Sequence, residues 1–552
     1  MTFCALSSAK GMDIKMNKVL KKILFQRRNV LGVVLLLQIV TSLTALITPY
    51  INGRFVDILV SSEEYKDVLS FSGVAFSISL LGILAGYIFR VIQLKLKNCI
   101  SFDLNMKIIE HIQRIPIEKF EKYNSTYLNQ RIRGDCEILT NFWISNFISA
   151  IMNIIILIAM SVLLCTLNKS LFCVLLVFIP VYCMAYILLK QPLYSRGHDC
   201  TENSNMFVSK LNEMYERNRE IKTDALFEQE NNGVYIKFAS YIYKVMRYNK
   251  LLFGFTSLDG TISLMFQIVV FLYGGKLVIQ NNMTIGEFTM INSYFSMILE
   301  TIKYYFELGQ AYQVMKISKN RLQELLEIPV EINGRKLVSK VTKLEAKNVN
   351  YYFNDKRVYN KKLNFAIDKA GIYGLVGKNG AGKTTLINIL VGINNANIIG
   401  EVYINNLNIK DIDMYNLRQY NFSIMLQGTN SIDITVGDYI SKYITDAKIN
   451  ELKHDGKCKD IFFSKLFNLD NLMNKKIYEV SSGERQMVQL FTKVYKKADV
   501  YIFDEPTSNV HPLLVEHIWG LMEYLKNANK IVVIISHDKS IYNRFDSLLD
   551  LN

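Results

Sequence analysis

No Cys-x-x-Cys pair and no cysteine and histidine cluster at zinc-ligand spacing occurs in the sequence, which excludes a zinc module as its organising element. Eight cysteines in 552 residues are too few for a disulfide framework. Cys165, Cys173 and Cys183 lie inside apolar runs, where a thiol is a small hydrophobe, so reduced structural cysteines are expected. Charge is scarce as well. Only 20% of residues are Asp, Glu, Lys or Arg against 50% hydrophobic ones, which excludes a disordered chain. Acidic residues are the poorer sign, 49 against 64 Lys plus Arg, and the surplus of +15 admits nucleic acid, an anionic membrane or a phosphorylated ligand as partner. A small-residue cleavage site is missing after the first apolar segment, and more such segments follow, so that segment reads as a membrane span and not a removed signal.

Uncharged runs, in contrast, are plentiful. A bilayer core of roughly 30 Å takes about 20 apolar residues in helix. Six runs meet this: Val30 to Ile47, Val68 to Phe89, Phe142 to Leu167, Leu171 to Leu189, Phe255 to Ile279 and Phe288 to Leu308. Lys and Arg gather on the cytoplasmic side of membrane proteins. Lys15, Lys18, Lys21, Lys22, Arg27 and Arg28 precede the first run, and Met16 to Arg27 fits an amphipathic helix lying on anionic headgroups. The long connections from Lys95 to Arg133 and from Lys190 to Lys250 are basic, whereas the other connections are short and nearly free of Lys and Arg. Both termini are therefore expected in the cytoplasm, and the positive surplus requires no nucleic acid. The two long connections have helical periodicity with little Gly and almost no Pro, so long helices should project into the cytosol. The resulting organisation is a cytoplasmic segment with an interfacial helix over 1–28, a six-span α-helical membrane domain over 29–328, and an α/β domain over 329–552 that opens after the turn residues Ile332 to Arg335.

In the last part, Gly371 to Val376 reads as a strand that runs into Gly377-Lys-Asn379-Gly380-Ala-Gly382-Lys383-Thr384-Thr385 and then an apolar helix from Leu386 to Val391. This is a phosphate-cradling loop. Its glycines let N–H groups turn inward, Lys383 reaches the β/γ-phosphates of a nucleotide and the Thr384 hydroxyl can ligate Mg²⁺, an arrangement that kinases, GTPases, motors and transporters share. A second apolar strand, Val500 to Phe503, ends in Asp504-Glu505, which would hold the Mg²⁺ shell and polarise the attacking water respectively. A third, Ile531 to Ile535, delivers His537 to the same sheet edge, within reach of the γ-phosphate.

With Val480-Ser481-Ser482-Gly483-Glu484-Arg-Gln486 just upstream of Asp504, the chain resembles an ATP-binding cassette exporter half-transporter over nearly its whole length. Gly274-Gly275 with Thr284-Ile-Gly286-Glu-Phe288 match that type. So do the intervals, 44 residues from Lys383 to Gln427 and 32 from Glu505 to His537. The resemblance implies a P-loop NTPase of the cassette type behind a six-span exporter domain. It implies that Gln427 links Mg²⁺ and water to the membrane domain and that Phe353, with Tyr352 as alternative, stacks on adenine. It also implies that Ser481 and Gly483, together with Glu484, close over ATP held by a second half-transporter, the same chain or a related one. The turns Arg114 to Phe120 and Lys222 to Phe227 would transmit motion to the spans, or be solvated helix faces.

Three departures stand out. Ser482 occupies a glycine position and is accepted only where φ is negative. His511 replaces an aspartate. The chain ends about 15 residues after His537, so the cassette's final strand and helices are expected to be absent. With 29 residues before the first run, no leader-cleaving protease domain is expected, nor is Cys4 expected to be a nucleophile. Polar positions within the runs, Gln38, Asn153, Asp259, Gln267, Asn292 and Glu300, are either interhelical hydrogen-bonding groups or a substrate cavity, Asp259 and Glu300 being the strongest for the cavity. The resemblance is nearest to bacterial exporters of bacteriocin and lantibiotic-type peptides, which implies ATP-driven peptide export across the bacterial cell membrane. A lipid or multidrug flippase, a siderophore-type importer and a non-transporting membrane ATPase share the same motifs.

Overall fold

The computed structural model describes residues 16–552 except 62–63, 121–122, 124, 354–355, 379, 394–396, 427–431, 509, 538 and 552. The chain divides into two compact units. One comprises the chain up to Glu110 with Ser125–Glu327, the other His111–Asn124 with Ile328–Asn552.

The first unit is helical. Helix α1 spans 16–26, with Met16, Leu20 and Ile23 buried at helical spacing while Lys18, Lys21 and Lys22 are exposed. Arg27 then pairs with Asp103 at 2.7 Å. Long helices follow: α2 Arg28–Ser61 and α3 Tyr65–Ile112, whose last turn crosses into the second unit. After the short α4, Ile117–Phe120, α5 Ser125–Asn141 passes through one π-helical turn, Phe142–Phe147, into α6 Ile148–Leu167. Then come α7 Lys169–Glu216, α8 Asn218–Thr223, α9 Phe227–Ile279 and α10 Ile285–Glu327. Five of the six expected apolar runs each lie within one of these helices, and the run Phe142 to Leu167 covers the π-helical turn and α6 together. By length and composition, 28–61, 65–112, 131–167 and 227–279 suffice to cross a membrane among the described residues. Large apolar side chains such as Leu36, Phe76, Leu84, Ile155 and Leu272 are exposed along them, the mark of a surface made for lipid.

Glycine sets one close approach. A Cβ on Gly286, in the first turn of α10, would run into the Gly53 carbonyl of α2 and the Asp57 carboxyl. That carboxyl accepts hydrogen bonds from the Gly286 N–H at 2.8 Å and the Thr284 hydroxyl at 3.0 Å. The Thr284-Ile-Gly286 motif thus seats the start of α10 on α2.

The second unit holds two sheets. Strand β1, Leu344–Phe353, pairs antiparallel with β2 Lys356–Arg357, β3 Leu363–Ile367 and β5 Ile398–Ile404, and β5 pairs with β6 Leu407–Asn408. Strand β4, Gly371–Val376, belongs to a parallel sheet ordered β10-β4-β9-β8-β7, with β7 Phe422–Met425, β8 Val500–Asp504, β9 Ile531–Ile535 and β10 Ser547–Asp550. Its central strands are buried on both faces, which explains their continuous apolar sequence. Val500 and Ile502 face one core with α11, Lys383–Leu390, and with α12, Met414–Tyr420. Tyr501 and Phe503 face the other, built with α13 Val436–Ser441, α14 Asp446–Leu452, α15 Gly456–Phe462, α16 Ser482–Tyr495 and α17 Pro512–Asn527.

Two expectations change. A terminal strand is present: β10 pairs parallel with β4, held by the Asp546 carboxylate, which accepts the Ile372 N–H at 2.8 Å. Four residues, of which only Leu549 is half-buried, carry too little pattern to announce a strand. The segment 111–124 also clusters with the second unit. There the Arg114 carbonyl accepts the Glu331 N–H at 2.7 Å, Glu118 accepts from Asn397 at 2.9 Å, and Glu331 pairs with Arg418 at 3.2 Å.

Candidate active site

Three strands deliver the reacting groups to one end of the parallel sheet. Leu375 of β4 and Asp504 of β8 both lie opposite Ile535 of β9, one on each side. At about 4.8 Å between strands, the loop after β4, Ser536-His537 and Asp504-Glu505 form one row.

After β4 the chain turns through Gly377, Gly380 and Gly382, the last two with φ of +81° and +87°. Gly382 precedes α11 and has no side chain to cap it, so the first-turn N–H groups and the positive helix end face the loop. A Cβ on Gly382 would stand 2.7 Å from the Tyr359 ring and from Val358. The buried Tyr359 hydroxyl donates to the Gly382 carbonyl at 2.9 Å, and Asn350 holds the Tyr359 backbone by accepting its N–H at 3.3 Å and donating to its carbonyl at 2.9 Å. Lys383, 8% exposed, donates to the carbonyls of Gly377 and Lys378 at 2.8 and 3.0 Å. Burial lowers its pKa, while Asp504 and Glu505 act to raise it. An ammonium surrounded by carbonyls and uncapped N–H groups is a cradle for a polyanion. The helix starts at Lys383, three residues earlier than the apolar pattern alone predicts, and Thr384 and Thr385 stand in its first turn.

Asp504 ends β8, buried to 8% exposure. Glu505 follows with φ of +50°, left-handed backbone in a residue that has a Cβ. Its N–H donates to the Ile535 carbonyl at 3.0 Å, and its carboxylate lies 3.1 Å from His537 Nε2. Strain of this kind is held only where neighbours fix it, and Glu505 is so held at the sheet edge.

Ser481 caps α16. Its hydroxyl accepts the Glu484 N–H at 3.2 Å while its own N–H donates to the Glu484 carboxylate at 2.8 Å. Those bonds hold the Glu484 carboxyl below the usual carboxylate range. Glu484 is thus engaged in fastening the helix start. Ser482 is the first helical residue, and its φ is not positive, so the glycine position tolerates serine. His511 caps α17, its ring nitrogen accepting the Leu513 N–H at 3.3 Å.

Gln427 and Asn379 lie outside the described residues. Phe353 ends β1 and Asp259 lies on α9, but their side chains also lie outside them. Gln267 and Asn292 are half-buried and Glu300 is exposed on α10, and no hydrogen bond links these three among the described residues. Motif reading misses Tyr359, Asn350 and Gln486. Tyr359 lies in no motif, Asn350 lies in the segment ending at Phe353 without a stated task, and Gln486 closes its motif likewise. Its amide donates to the Glu505 carbonyl at 2.9 Å.

Residues 31–302 match the family model of the ABC transporter transmembrane region, and residues 360–508 match that of the ABC transporter. The pediocin PA-1 transport/processing ATP-binding protein PedD of Pediococcus acidilactici is 20% identical, over 96% of this chain and 74% of PedD. The transport/processing ATP-binding protein ComA of Streptococcus pneumoniae is 22% identical over 96% of this chain and 74% of its own length. The sublancin-168-processing and transport ATP-binding protein SunT of Bacillus subtilis is 21% identical over 94% and 73%. Among solved structures, a bacterial Atm1-family ABC exporter with ATP bound superposes with a TM-score of 0.80 at 15% identity, covering 95% of this chain and 94% of the exporter.

Proposed function

Because this chain belongs to the ABC transporters, an exporter-type membrane region fused to its ATPase domain, we propose that two copies of it form an exporter that hydrolyses ATP to move a peptide out of a bacterial cell across the plasma membrane. The observation that carries the catalytic part is the Glu505 to His537 pair at 3.1 Å, in one row with the Lys383 loop.

Lys383 and the N–H groups of α11 bind the β/γ-phosphates, and Phe353 stacks on adenine. Glu505 accepts a proton from the attacking water, and His537 orients Glu505 and touches the γ-phosphate. The Thr384 hydroxyl and the Asp504 carboxylate offer the oxygen donors that suit Mg²⁺, with Gln427 completing the set. When bound, the ion neutralises phosphate charge. One chain carries both halves of a sandwich site: the loop side, and a capped α16 whose Ser481 and Gly483 end meets the nucleotide of the other copy.

Peptide cargo is supported by relatives named for transport and processing of pediocin and sublancin. An inward-facing N-terminus is supported by the basic face of α1. Asp259, Gln267, Asn292 and Glu300 are the cavity residues to test. Reconstituted chain should show vanadate-sensitive ATPase activity that Glu505→Gln reduces at least a hundredfold while ATP binding persists. Turnover unchanged by that substitution would remove Glu505 from the reaction.

A further inference from the structure

The signature helix and the catalytic carboxylate of the same chain are joined by one side chain. Gln486 lies on α16, a turn and a half beyond the Ser481 cap. Its Nε2 donates to the Glu505 carbonyl at 2.9 Å and approaches the Ser508 hydroxyl at 3.3 Å. The Glu505 carbonyl also accepts the Ser508 N–H at 3.2 Å, so two donors converge on it.

The conformation they fix is an unusual one. Glu505 sits at φ +50°, which a residue with a Cβ adopts only when its surroundings impose it. On one side the Glu505 N–H is tied to Ile535 of β9, and on the other its carbonyl is tied to α16 and to the turn after β8. Rotating this peptide would swing the carboxylate away from His537, which it meets at 3.1 Å. The tie to β9 belongs to the rigid sheet. The tie to α16 belongs to a helix whose first turn, on the reading above, rests on the nucleotide of the other copy.

We propose that Gln486 is a positioning residue for hydrolysis: it holds the left-handed Glu505 peptide from the signature helix of its own chain, and so links how that helix is seated on one nucleotide to the attack on the other. Its amide is directed to Glu505 and Ser508 of its own chain. Loss of its amide donor slows the chemical step by about tenfold, the value of one well-made hydrogen bond, and leaves ATP affinity in place. Cooperativity between the two sites weakens with it.

Dimers assembled from two differently tagged full-length chains in nanodiscs test this. One chain carries Glu505→Gln, so that it binds ATP without hydrolysing it and only the other chain's Glu505 works. Gln486→Glu, the same shape without the amide donor, is then placed either on the chain with the working Glu505 or on the chain whose signature helix faces the working site's ATP. The first placement is expected to be slower than the second by about tenfold in kcat, with KM for ATP within twofold between them. In dimers without Glu505→Gln, Gln486→Glu on both chains is expected to bring the Hill coefficient for ATP toward one. Should the second placement prove as slow as the first, Gln486 merely shapes the signature helix, and the proposal is overturned. It is equally overturned if neither placement slows turnover. Gln486→Met, uncharged and of similar length, carries the same comparison if the glutamate variant fails to assemble. The proposal rests on the sandwich reading, which fails separately and visibly, through absence of ATPase activity in dimers that carry no substitution.

Discussion

Alanine at position 382 perturbs the phosphate loop by an amount that follows from the structure. The added Cβ would stand 2.7 Å from both the Tyr359 ring and Val358, and the backbone there has φ of +87°. Left-handed backbone costs an alanine about 1–2 kcal/mol. Moving a ring as buried as Tyr359 adds about 1–3 kcal/mol of overpacking. If the loop yields, about 2–5 kcal/mol is lost from the bound geometry, and ATP affinity falls roughly 30- to 3,000-fold. Equilibrium binding of a fluorescent ATP analogue to the full chain in nanodiscs reads this directly. Combining Gly382→Ala with Tyr359→Ala removes the ring but keeps the backbone strain and the Val358 contact, so affinity should return only in part. Binding by Gly382→Ala within threefold of the unsubstituted chain would refute the reasoning, because the glycine would then have no steric duty.

Two further outcomes follow from other contacts. Gly286→Ala should lower the stability of the detergent-purified chain by about 1–3 kcal/mol, since its Cβ meets Gly53 and Asp57. A melting temperature unchanged by that substitution would mean that the close approach of α2 and α10 is not needed. Lys493 lies with its ammonium 4.0 Å above the Tyr443 ring, and burial, aided by Lys496, pushes its pKa down to about 8 from the ordinary 10.5. The folded chain therefore releases this proton before the unfolded chain does, so the penalty is complete below pH 8 and fades as pH rises toward 10.5. Hydrogen-exchange protection of α16, corrected for the intrinsic exchange rate, should increase over that window, and Lys493→Met should raise protection below it and flatten the dependence. A dependence that survives Lys493→Met would assign it to another group.

The chemistry was legible wherever a motif combines a strand end with residues that cannot be exchanged. Gly371–Val376 and Ile531–Ile535 are strands with the bounds their apolar runs imply, and β8 extends its run by one residue, to Asp504. Parallel order then brings Lys383, Asp504, Glu505 and His537 to one edge. What escaped the sequence depends on distance and backbone angle. Nothing in an Asp-Glu-Pro string reports a left-handed glutamate, and an isolated Tyr359 gives no sign that its hydroxyl braces Gly382. The π-helical turn at Phe142–Phe147 is hidden because one turn with an extra residue leaves no mark on a mostly apolar run that already holds Ser145 and Asn146. The final strand is short and mostly exposed, and it exists because β4 offers it an edge and Asp546 anchors its start. The grouping of 111–124 with the ATPase unit rests on the Arg114 carbonyl, which accepts the Glu331 N–H, and on Glu118, which accepts from Asn397, contacts whose members no sequence spacing connects.

The central claim is that turnover at Glu505 drives a peptide across the bilayer. Its most direct test is ATP-dependent accumulation of fluorescent peptides in sealed proteoliposomes with the ATPase units facing outward, beside a headgroup-labelled phospholipid and with Glu505→Gln in parallel. Accumulation of peptide that requires ATP, is lost in Glu505→Gln and is accompanied by peptide-stimulated ATPase activity is the predicted result. Steady ATP hydrolysis with no peptide moved, or movement of the phospholipid alone, would contradict it.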